Sequence, residues 1–404
     1  MVKRFDVAIV GAGMTGLALA VALGRQDIST VIIDKADLTQ QQLPEFDGRV
    51  SAISLGSQRI LQNIGVWDAM FAHAEPIKDI CVHEAGGFGQ VHYDHRNAGN
   101  EPMGHIIENR HTRTALLAEV KKHQSVTVMA PDLLQETARV EGGVTLTLES
   151  GDSVQASLLV AADGKFSRLR QWAEIDVIER DYKQTAIVAT ISHEKPHKGV
   201  ALERFFANGP FAVLPMQGNR ASLVWVEPTA TAKAICALPA QEVLVYLKDK
   251  LQSYLGEVKL ETRLWSYPLT AVLAKEYTAD RFALLGDAAH GMHPIAGQGV
   301  NLGFRDVAVL EEVIVQALAA GEDIGSAGVL ARYQKWRRFD ATAMLAATDG
   351  LNSLFSNSST ILSLARNTGF ALVNQWPSLR DSFMRHAMGT EGDLPKLAKA
   401  VLHK

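Results

Sequence analysis

The 404-residue chain has only two cysteines, Cys81 and Cys236, so we predict neither a disulfide framework nor a cysteine-rich metal site. Its thirteen histidines are scattered, and pairs such as His92 with His95 lack a third ligand, which argues against a zinc site. The net charge is −4, with acidic and basic residues interspersed, and nothing in this pattern suggests nucleic-acid binding. We therefore expect a protein without a bound metal ion, located in a reducing cytoplasm.

The chain also lacks a long, uninterrupted hydrophobic run. Glycines break the apolar stretch near the N-terminus and Asp34 follows soon afterwards, so we predict neither a signal peptide nor a transmembrane helix. With 404 residues, 47% of them hydrophobic, the chain exceeds the usual size of a single core. We expect about two domains and a smaller terminal element.

A glycine-rich turn near the N-terminus has the pattern Gly-x-Gly-x-x-Gly, formed by Gly11, Gly13 and Gly16. An apolar, strand-like run precedes it and a helix-like run over residues 14–23 follows it, so the glycines lie at a strand-to-helix turn. Such glycines permit the tight turn, the approach of a pyrophosphate to the backbone and close helix–strand packing, and the helix N-terminus then faces the phosphates. The motif predicts a dinucleotide site.

An acidic residue, Asp34, ends the second predicted strand, residues 30–33. In dinucleotide-binding domains a carboxylate at about this distance from the glycines accepts hydrogen bonds from the adenosine ribose, and it disfavours a 2′-phosphate. The alternative interpretation is a glycine turn followed by a merely solvated aspartate. The complete strand–helix–strand pattern favours the dinucleotide.

Two later segments also contain a buried strand that ends in glycine and aspartate. The strand over residues 158–162 ends in Asp163 and Gly164, and the strand over residues 282–285 ends in Gly286 and Asp287. The segment that follows the second strand contains His290, Pro294, Gly297, Gln298 and Gly299. Because ligands of open α/β sheets bind at the carboxyl ends of the strands, the three motifs together predict a pocket for a long dinucleotide.

The sequence between these motifs predicts two interleaved domains. Alternating apolar and polar residues over 177–265, with a hairpin-like stretch over 80–95, indicate a sheet outside the nucleotide-binding domain. The predicted fold class is α/β, with a discontinuous Rossmann-like domain over residues 1–79, 100–176 and 266–340. A mixed or antiparallel-sheet substrate domain covers residues 80–99 and 177–265, and residues 341–404 are expected to form C-terminal helices.

The three motifs, in this order and spacing, resemble those of the class A flavoprotein aromatic hydroxylases, whose fold is that of p-hydroxybenzoate hydroxylase. Within that class, residues 47–52 (Asp-Gly-Arg-Val-Ser-Ala), 210–215 and 352–389 are similar to the ubiquinone-biosynthesis hydroxylases. The resemblance covers nearly the whole chain. It implies a Rossmann-like domain that binds FAD, and a reduced nicotinamide, NAD(P)H, as the electron donor.

The resemblance also implies roles for individual residues. It places Asp34 on the adenosine ribose, Arg49 along the dinucleotide, Asp287 on the ribityl chain, and Asp163 where the family binds both FAD and the reduced nicotinamide. Pro294 and the backbone of residues 297–299 are implied to lie beside the isoalloxazine ring, where N–H groups stabilise negative charge on the reduced flavin. The implied cofactor-binding residues are Gly11, Gly13, Met14, Thr15, Gly16, Asp34, Lys35, Arg49, Arg110, Asp163, Gly164, Asp287, Gly297, Gln298, Gly299 and Asn301.

In the family, reduced flavin reacts with dioxygen to give a C4a-hydroperoxide, which an electron-rich aromatic ring attacks. The resemblance therefore implies a monooxygenase whose side chains bind and orient the substrate and exclude water. A base near the ring is expected to draw the phenolic proton away. The catalytic candidates are Pro294, His290 and Tyr267, together with His293; a structural role is the alternative for the two histidines and the tyrosine.

A second Gly-x-Gly-x-x-Gly motif followed by a ribose-binding carboxylate is absent from the sequence. This is consistent with the family, whose members bind the reductant transiently on the FAD domain. The sequence itself does not identify the electron donor.

The resemblance implies that the substrate is a prenylated phenol of ubiquinone biosynthesis. Apolar side chains of the second domain either form the core of its sheet or line a pocket for a prenylated ring. These side chains are Phe205, Phe206, Phe211, Val213, Leu214, Val224 and Trp225. The C-terminal helices dock on the protein itself, on a partner in a quinone-biosynthesis complex, or on the inner face of the cytoplasmic membrane.

Three alternative functions remain open. The first is a hydroxylase of a small, soluble phenol. The second is a flavin halogenase, although a Trp-x-Trp-x-Ile-Pro stretch is absent from the sequence. The third is a non-catalytic, flavin-holding component of a quinone-biosynthesis complex.

Overall fold

A computed structural model describes residues 2–45, 47–84, 90–97, 99, 101–292, 298–355 and 384–400, with side chains described up to residue 344 in the last long helix. The predicted C-terminal helical segment is described only over residues 341–355 and 384–400, and the predicted site residues His293, Pro294 and Gly297 lie outside the described residues. No helix within the described ranges combines the length and the hydropathy of a membrane-spanning segment.

The strands form three sheets, and their bounds are as follows. They are β1 (Lys3–Val10), β2 (Thr30–Ile33), β3 (Val50–Ser54), β4 (Glu75–Ile77), β5 (Asp79–Glu84), β6 (Gln90–Asp94), β7 (Gly104–Glu108), β8 (Val126–Met129), β9 (Leu134–Val140), β10 (Gly143–Leu148), β11 (Ser153–Ala161), β12 (Val177–His193), β13 (Val200–Phe206), β14 (Gly209–Met216), β15 (Arg220–Pro228), β16 (Val258–Leu260), β17 (Trp265–Ala274), β18 (Thr278–Ala279), β19 (Phe282–Leu284) and β20 (His290–Gly291).

The helices are interspersed among the strands and cover the faces of the two larger sheets. They are α1 (Met14–Gly24), α2 (Leu55–Asn63), α3 (Trp67–Phe71), α4 (Asn109–Val120), α5 (Arg168–Trp172), α6 (Thr229–Cys236), α7 (Ala240–Leu251), α8 (Gly299–Ala319) and α9 (Ala327–Phe355).

The first sheet has the strand order β18-β19-β11-β1-β2-β8, and β19, β11, β1, β2 and β8 run parallel. Its strands are apolar on both faces; Val7, Ala8 and Ile9 are fully buried, as expected of a parallel sheet with helices on both sides. Helix α1 is buried from residue 16 to residue 24 because it packs against both α4 and α8. The predicted Rossmann-like architecture is confirmed.

The second sheet has the order β20-β17-β12-β15-β14-β13-β5-β6, with β16 attached to β12. Neighbouring strands are antiparallel except β13 and β5, which are parallel, so the sheet is mixed. Helices α6 and α7 cover one face. On that face Leu202, Phe211, Val213 and Trp225 form a core with side chains from the helices, such as Leu247.

Two features of the second sheet differ from the sequence analysis. The sheet extends beyond residue 265 because β17 pairs with β12 as far as Ala274, and β20 adds residues 290–291. Helices α6 and α7 interrupt the stretch that was predicted as sheet alone. The extension has a physical reason: short alternating runs look alike whether a strand joins one sheet or the other, and only the long-range pairing decides.

A third, small sheet has the order β3-β7-β4 and lies where the two larger sheets approach each other. Ile106 of β7 packs in one cluster with Ala201 and Leu214 of the second sheet and with Met388 near the C-terminus. Helix α2 follows β3 directly, and the Ser54 hydroxyl caps it by accepting a hydrogen bond from the N–H of Ser57. The small sheet thereby connects the glycine-rich domain to the face of the second sheet that α6 and α7 leave uncovered.

Candidate active site

Four strand ends meet at one edge of the first sheet. In the parallel register, Val10 of β1 pairs with both Ile33 of β2 and Ala161 of β11, and Ala161 pairs with Leu284 of β19. The predicted motifs follow directly after these residues, so the fold brings the three motifs and Asp34 together at the carboxyl edge. This is the place where ligands bind in open α/β sheets.

The three glycines of the first motif are required for different structural reasons. A Cβ on Gly11 would lie 2.2 Å from the carbonyl oxygen of Ala162, and one on Gly16 would lie 1.9 Å from the carbonyl oxygen of Gly11. A Cβ on Gly13, by contrast, would meet nothing within 4 Å. Gly11 and Gly16 therefore permit close backbone packing, whereas Gly13 keeps the space in front of the helix open.

Helix α1 begins directly behind this open space. Gly13 is its N-cap and provides no side-chain hydrogen bond to the first turn. The N–H groups at the start of a helix lack partners within the helix, and the helix dipole favours an anion there. The arrangement fits the pyrophosphate of a dinucleotide.

Asp34 is tied to the same turn. Its carboxylate accepts hydrogen bonds from the backbone N–H of Ala12 at 2.6 Å and of Ala36 at 2.8 Å. A carboxylate offers about four acceptor positions, so these two bonds leave capacity for a ribose hydroxyl. Lys35 beside it is exposed.

Asp287 is exposed at the strand edge, and two cations lie near it. Burial opposes the charge of Arg49, but Asp47, Tyr267 and Asp287 outweigh that effect and raise the pKa of the guanidinium. Burial lowers the pKa of the Lys165 ammonium, while Asp287 acts in the opposite direction. Asp287 therefore interacts electrostatically with two positive charges at this edge.

Lys165 was not among the residues predicted from the sequence. Its Nζ donates hydrogen bonds to the carbonyl oxygen of Thr270 at 3.0 Å and to the Thr270 hydroxyl at 3.2 Å. This contact joins the Asp163–Gly164 turn to β17 of the second sheet. The only sequence signal was its position directly after that motif.

Tyr267 lies on the side of the second sheet that faces the first domain. Its ring packs under Arg49, with the guanidinium carbon 5.0 Å from the ring centroid. Burial raises the pKa of its hydroxyl. This predicted catalytic residue is thus at the junction of the two domains, next to a predicted cofactor-binding residue.

Asp163 has one partnered and one unpartnered oxygen. Oδ2 accepts hydrogen bonds from the backbone N–H of Arg168 at 2.9 Å and of Leu169 at 3.3 Å, which fixes the start of α5. Oδ1 is buried and has no partner among the described residues. A buried oxygen without a partner is costly, so this atom fits a ligand that donates a hydrogen bond.

Asn301 holds the start of α8 against β3. Its side chain accepts a hydrogen bond from the N–H of Ser54 at 3.0 Å and donates one to the carbonyl oxygen of Ala52 at 2.8 Å. Gln298 is the N-cap of α8 and makes no side-chain cap, and a Cβ on Gly299 would meet nothing within 4 Å. A second open helix N-terminus therefore lies near the strand edge.

Met14 and Thr15 form part of the wall behind the edge. Met14 packs on the main core. The Thr15 side chain fills the space next to Gly286 and Gly303. A Cβ added to Gly286 would lie 2.9 Å from that side chain, and one added to Gly303 would lie 2.3 Å from it. These contacts hold the third motif against the first. Gly164, in the turn of the second motif, has a φ of +86°, a conformation that favours glycine.

Arg110 is not brought to this edge by its described contacts. It donates a hydrogen bond to Glu108 at 3.0 Å and lines a cavity of about 250 Å³ with His73, His111 and Arg220. Hydrogen bonds from His111 and from Arg110 lower the pKa of Glu108 to about 2. The neighbouring Arg113, one turn along the helix, instead binds Asp47 and the carbonyl oxygen of Gln41.

His290 lies in a buried ion-pair network behind the third motif. Its Nε2 is 2.6 Å from Asp306 Oδ2, and the same oxygen accepts a hydrogen bond from the N–H of Gly286 at 2.9 Å. Arg337 binds the other oxygen of Asp306 at 2.6 Å and Asp340 at 2.7 Å. Asp306 thus anchors the Gly286–Asp287 turn, and His290 has a structural partner of its own.

The described residues contain no group of three or more His, Cys, Asp or Glu side chains that could hold a metal ion.

Comparison with known proteins decides which dinucleotide this is. A protein-family model described as FAD binding domain matches residues 4–348. The ubiquinone hydroxylase UbiL of Rhodospirillum rubrum is 44% identical over 96% of this chain and 90% of its own length. This chain belongs to the ubiquinone hydroxylases, a family of FAD-dependent monooxygenases. The 3-demethoxyubiquinol 3-hydroxylase of Escherichia coli is 33% identical and covers 95% of this hydroxylase and 98% of its own length.

Solved structures share the fold of this ubiquinone hydroxylase. The p-nitrophenol 4-monooxygenase PnpA of Pseudomonas putida has a TM-score of 0.80 at 18% identity, over 97% of this chain and 100% of its own. At that identity the likeness establishes the fold alone. The predicted fold class and FAD as the cofactor are confirmed.

The glycines of the hydroxylase predict separable effects on folding and on FAD binding. We expect Gly13→Ala to change the free energy of unfolding of the FAD-free protein by less than about 0.5 kcal/mol, because the added methyl meets only open space. With the pyrophosphate in front of α1, as the motif predicts, the same methyl would collide with it, and FAD binding should weaken by about tenfold or more. Fluorescence titration with FAD and chemical unfolding measure the two quantities.

Gly16→Ala is the matched comparison. Its methyl has to displace the backbone of Gly11, so the FAD-free protein should lose about 1–3 kcal/mol of stability. Equal destabilisation by the two substitutions, or unchanged FAD affinity in Gly13→Ala, contradicts this assignment.

The Asp306 network predicts a pH-dependent stability difference. Burial alone would lower the pKa of His290, but the charge and the hydrogen bond of Asp306 outweigh it and raise the pKa. The pair therefore stabilises the fold fully below the unfolded-state pKa of about 6.5, and the contribution is lost as pH rises through the raised folded-state value. In Asp306→Asn, burial acts without this charge and lowers the pKa of His290.

We expect Asp306→Asn to be less stable than the wild type by about 3–5 kcal/mol at pH 6, because two buried cations lose their counter-charge. The difference should narrow as the pH is raised to 9. Thermal melting of both proteins across this pH range measures the difference in stability. The control is Asp323→Asn, which removes the more exposed carboxylate that pairs with Arg281. If the stability difference between wild type and Asp306→Asn stays constant with pH, as it should for the control, the proposed link between stability and the titration of His290 is wrong.

Proposed function

We propose that this chain hydroxylates the aromatic ring of a prenylated phenol in ubiquinone biosynthesis, using dioxygen and a reduced nicotinamide. The observation that carries the proposal is the 44% identity to a named ubiquinone hydroxylase over 96% of the chain. In the balanced reaction, one atom of dioxygen enters a C–H bond of the ring and the other leaves as water. The nicotinamide supplies a hydride, and one proton comes from solvent.

We propose that FAD lies along the carboxyl edge of the first sheet. The N-terminus of α1 behind Gly13 holds the pyrophosphate, Asp34 accepts from the adenosine ribose, and Asp287 accepts from the ribityl chain. Arg49 lies beside the dinucleotide and neutralises part of its charge. The open N-terminus of α8 at Gly299 lies nearest the ring, where its N–H groups favour negative charge.

When bound, FAD supplies the activation of dioxygen for transfer of one oxygen atom to carbon. The protein supplies binding, orientation and an environment that excludes water. Arg49 and Lys165 contribute fixed positive charge at the edge where the two domains meet. Asp306 contributes indirectly, since it fixes the turn that presents Asp287.

We propose that the substrate ring lies between this edge and the uncovered face of the second sheet. Leu214 and Val224 point toward this side, whereas Phe206, Phe211, Val213 and Trp225 pack on the side of α6 and α7. Only part of the apolar set considered from the sequence is therefore available to a prenylated ring.

The electron donor is proposed to bind transiently on the FAD domain. Contact with a membrane and membership of a quinone-biosynthesis complex stay predictions.

The lipids of cells that lack this gene test the proposal. We expect a prenylated phenol that lacks one ring hydroxyl to accumulate, and mass spectrometry to show its disappearance when the wild-type gene is restored. Asp287→Ala should not restore ubiquinone, because the ribityl contact and bound FAD are lost. Asp280→Ala, an exposed aspartate of the same domain, is the matched control and should restore it.

Two results contradict the proposal. One is an unchanged quinone pool in the deleted cells. The other is full rescue by an Asp287→Ala protein that contains no FAD, which favours the flavin-holding component over the enzyme.

A further inference from the structure

A row of side chains crosses the uncovered face of the second sheet. In the strand register, Glu203 of β13 pairs with Val82 of β5 on one side and with Ala212 of β14 on the other. The pairing continues from Ala212 to Val224 of β15, from Val224 to Val188 of β12, and from Val188 to Trp265 of β17. Residues directly opposite each other in neighbouring strands point to the same face. The row therefore forms one continuous wall.

This wall faces the FAD domain. A Cβ on Gly48 would lie 2.1 Å from the ring of Trp265, and Arg49 packs over Tyr267, two residues further along β17. At the other end, Ala201 and Leu214, the same-face neighbours of Glu203 and Ala212, pack against Ile106. The opposite face is filled by the core under α6 and α7. Glu203 thus points into the junction where we propose that the substrate ring lies.

Glu203 is the only ionisable side chain in the row, which is otherwise apolar apart from the indole of Trp265. Its carboxyl group has no hydrogen-bond or ion-pair partner among the described residues, yet part of the side chain remains accessible. Burial raises the pKa of this carboxyl to about 7. A carboxyl without a partner costs stability, and such groups are concentrated at functional sites.

Other titratable groups belong to the surrounding elements. No charge among them contributes noticeably to the pKa of Glu203, whose shift comes from burial. On the same face lie Glu84, Tyr93, Arg220 and Tyr267, and the segments packed against it contribute Arg49, Glu108 and Arg385.

We propose that Glu203 is the catalytic base that takes the proton from the phenolic hydroxyl of the substrate, an inference that rests on the proposed function. The O–H bond breaks, the proton binds a carboxylate oxygen of Glu203, and the electron pair stays on the phenolic oxygen. The ring becomes more electron-rich at the neighbouring carbons, and one of these forms the new C–O bond. The proton later returns to solvent, so Glu203 is unchanged after each cycle.

The two candidates from the sequence that the structure describes suit this role less well. His290 is 1% exposed and is paired with Asp306. Burial raises the pKa of Tyr267 further above its usual value, so its phenolate is a minor species at neutral pH. Glu203, in contrast, changes charge near the working pH, as an effective base requires.

The first experiment compares the pH dependence of hydroxylation in wild type and Glu203→Gln, with a phenol that carries one short prenyl group as the probe. The wild-type rate should rise with pH and level off above about 7, because the base form is the anion. Glu203→Gln should be slower at pH 7.5 by about a hundredfold or more. Its rate should keep rising toward the pKa of the free phenol.

A ring-fluorinated form of the same phenol provides a rescue. This substrate is largely ionised at pH 8 and needs no base, so it should recover most of the Glu203→Gln rate relative to wild type. Glu203→Asp should keep an intermediate rate. The control is Glu311→Gln, which alters a buried carboxyl of raised pKa in α8, hydrogen-bonded to Gln26, and should match wild type with both substrates. An equal loss with both substrates in Glu203→Gln overturns the proposal.

The second experiment does not depend on turnover. A prenylated 4-nitrophenol is titrated into the FAD-loaded enzyme at pH 8, and proton uptake is measured by calorimetry in two buffers of different ionisation enthalpy. Binding of the phenolate beside the Glu203 carboxylate should take up roughly one proton in wild type and in Glu311→Gln, because the two anions share it. Glu203→Gln should take up none.

The two experiments separate this inference from the proposed function. If proton uptake requires Glu203 but the wild type does not hydroxylate prenylated phenols, the proposed function is wrong and the assignment of Glu203 as a proton acceptor stands. Uptake that is the same in wild type and Glu203→Gln, or absent from both, overturns the assignment of Glu203.

Discussion

Close contact among the backbones of Gly11, Gly16 and Ala162 is the constraint on which the rest of this site depends. Added Cβ atoms at the two glycines would lie about 2 Å from carbonyl oxygens, far inside contact distance. Strand β1, helix α1 and the end of β11 therefore approach as nearly as bare backbone allows. This approach brings the first two motifs side by side, and the parallel pairing of β19 adds the third.

The buried network around Asp306 gives this edge its rigidity. One carboxylate receives His290, Arg337 and the N–H of Gly286, and Arg337 continues to Asp340 on α9. Breaking such a network is costly because it leaves buried charge without a partner. The turn that carries Asp287 is thus fixed by Asp306 on the side away from the strand edge. Asp287 itself is not needed to hold the turn in place.

Much of the FAD domain could be predicted from the sequence because its signals are local. A buried strand, a glycine turn and an apolar helix occur within about 20 residues, and each motif ends a strand. The positions of Gly11, Asp34, Asp163 and Asp287 at one edge follow from parallel pairing alone. The fold class, the FAD cofactor and the family are confirmed by the comparisons.

Features that depend on contacts between distant segments could not be predicted. Alternation indicates that Val224 and Trp225 lie on opposite faces of their strand, but only the packing of α6 and α7 decides which face is covered. Lys165 and Glu203 have no motif of their own. Their importance comes from long-range register, which places Lys165 against Thr270 and Glu203 in line with Trp265.

The central claim is that this chain is an FAD-dependent monooxygenase. The measurement that tests it most directly is hydroxylation under ¹⁸O-labelled dioxygen, with purified FAD-loaded enzyme, a reduced nicotinamide and a prenylated phenol. Mass spectrometry should find one ¹⁸O atom in the ring of the product and none from solvent water. A product whose new oxygen comes from water, or consumption of reductant without any ring hydroxylation, would contradict the account.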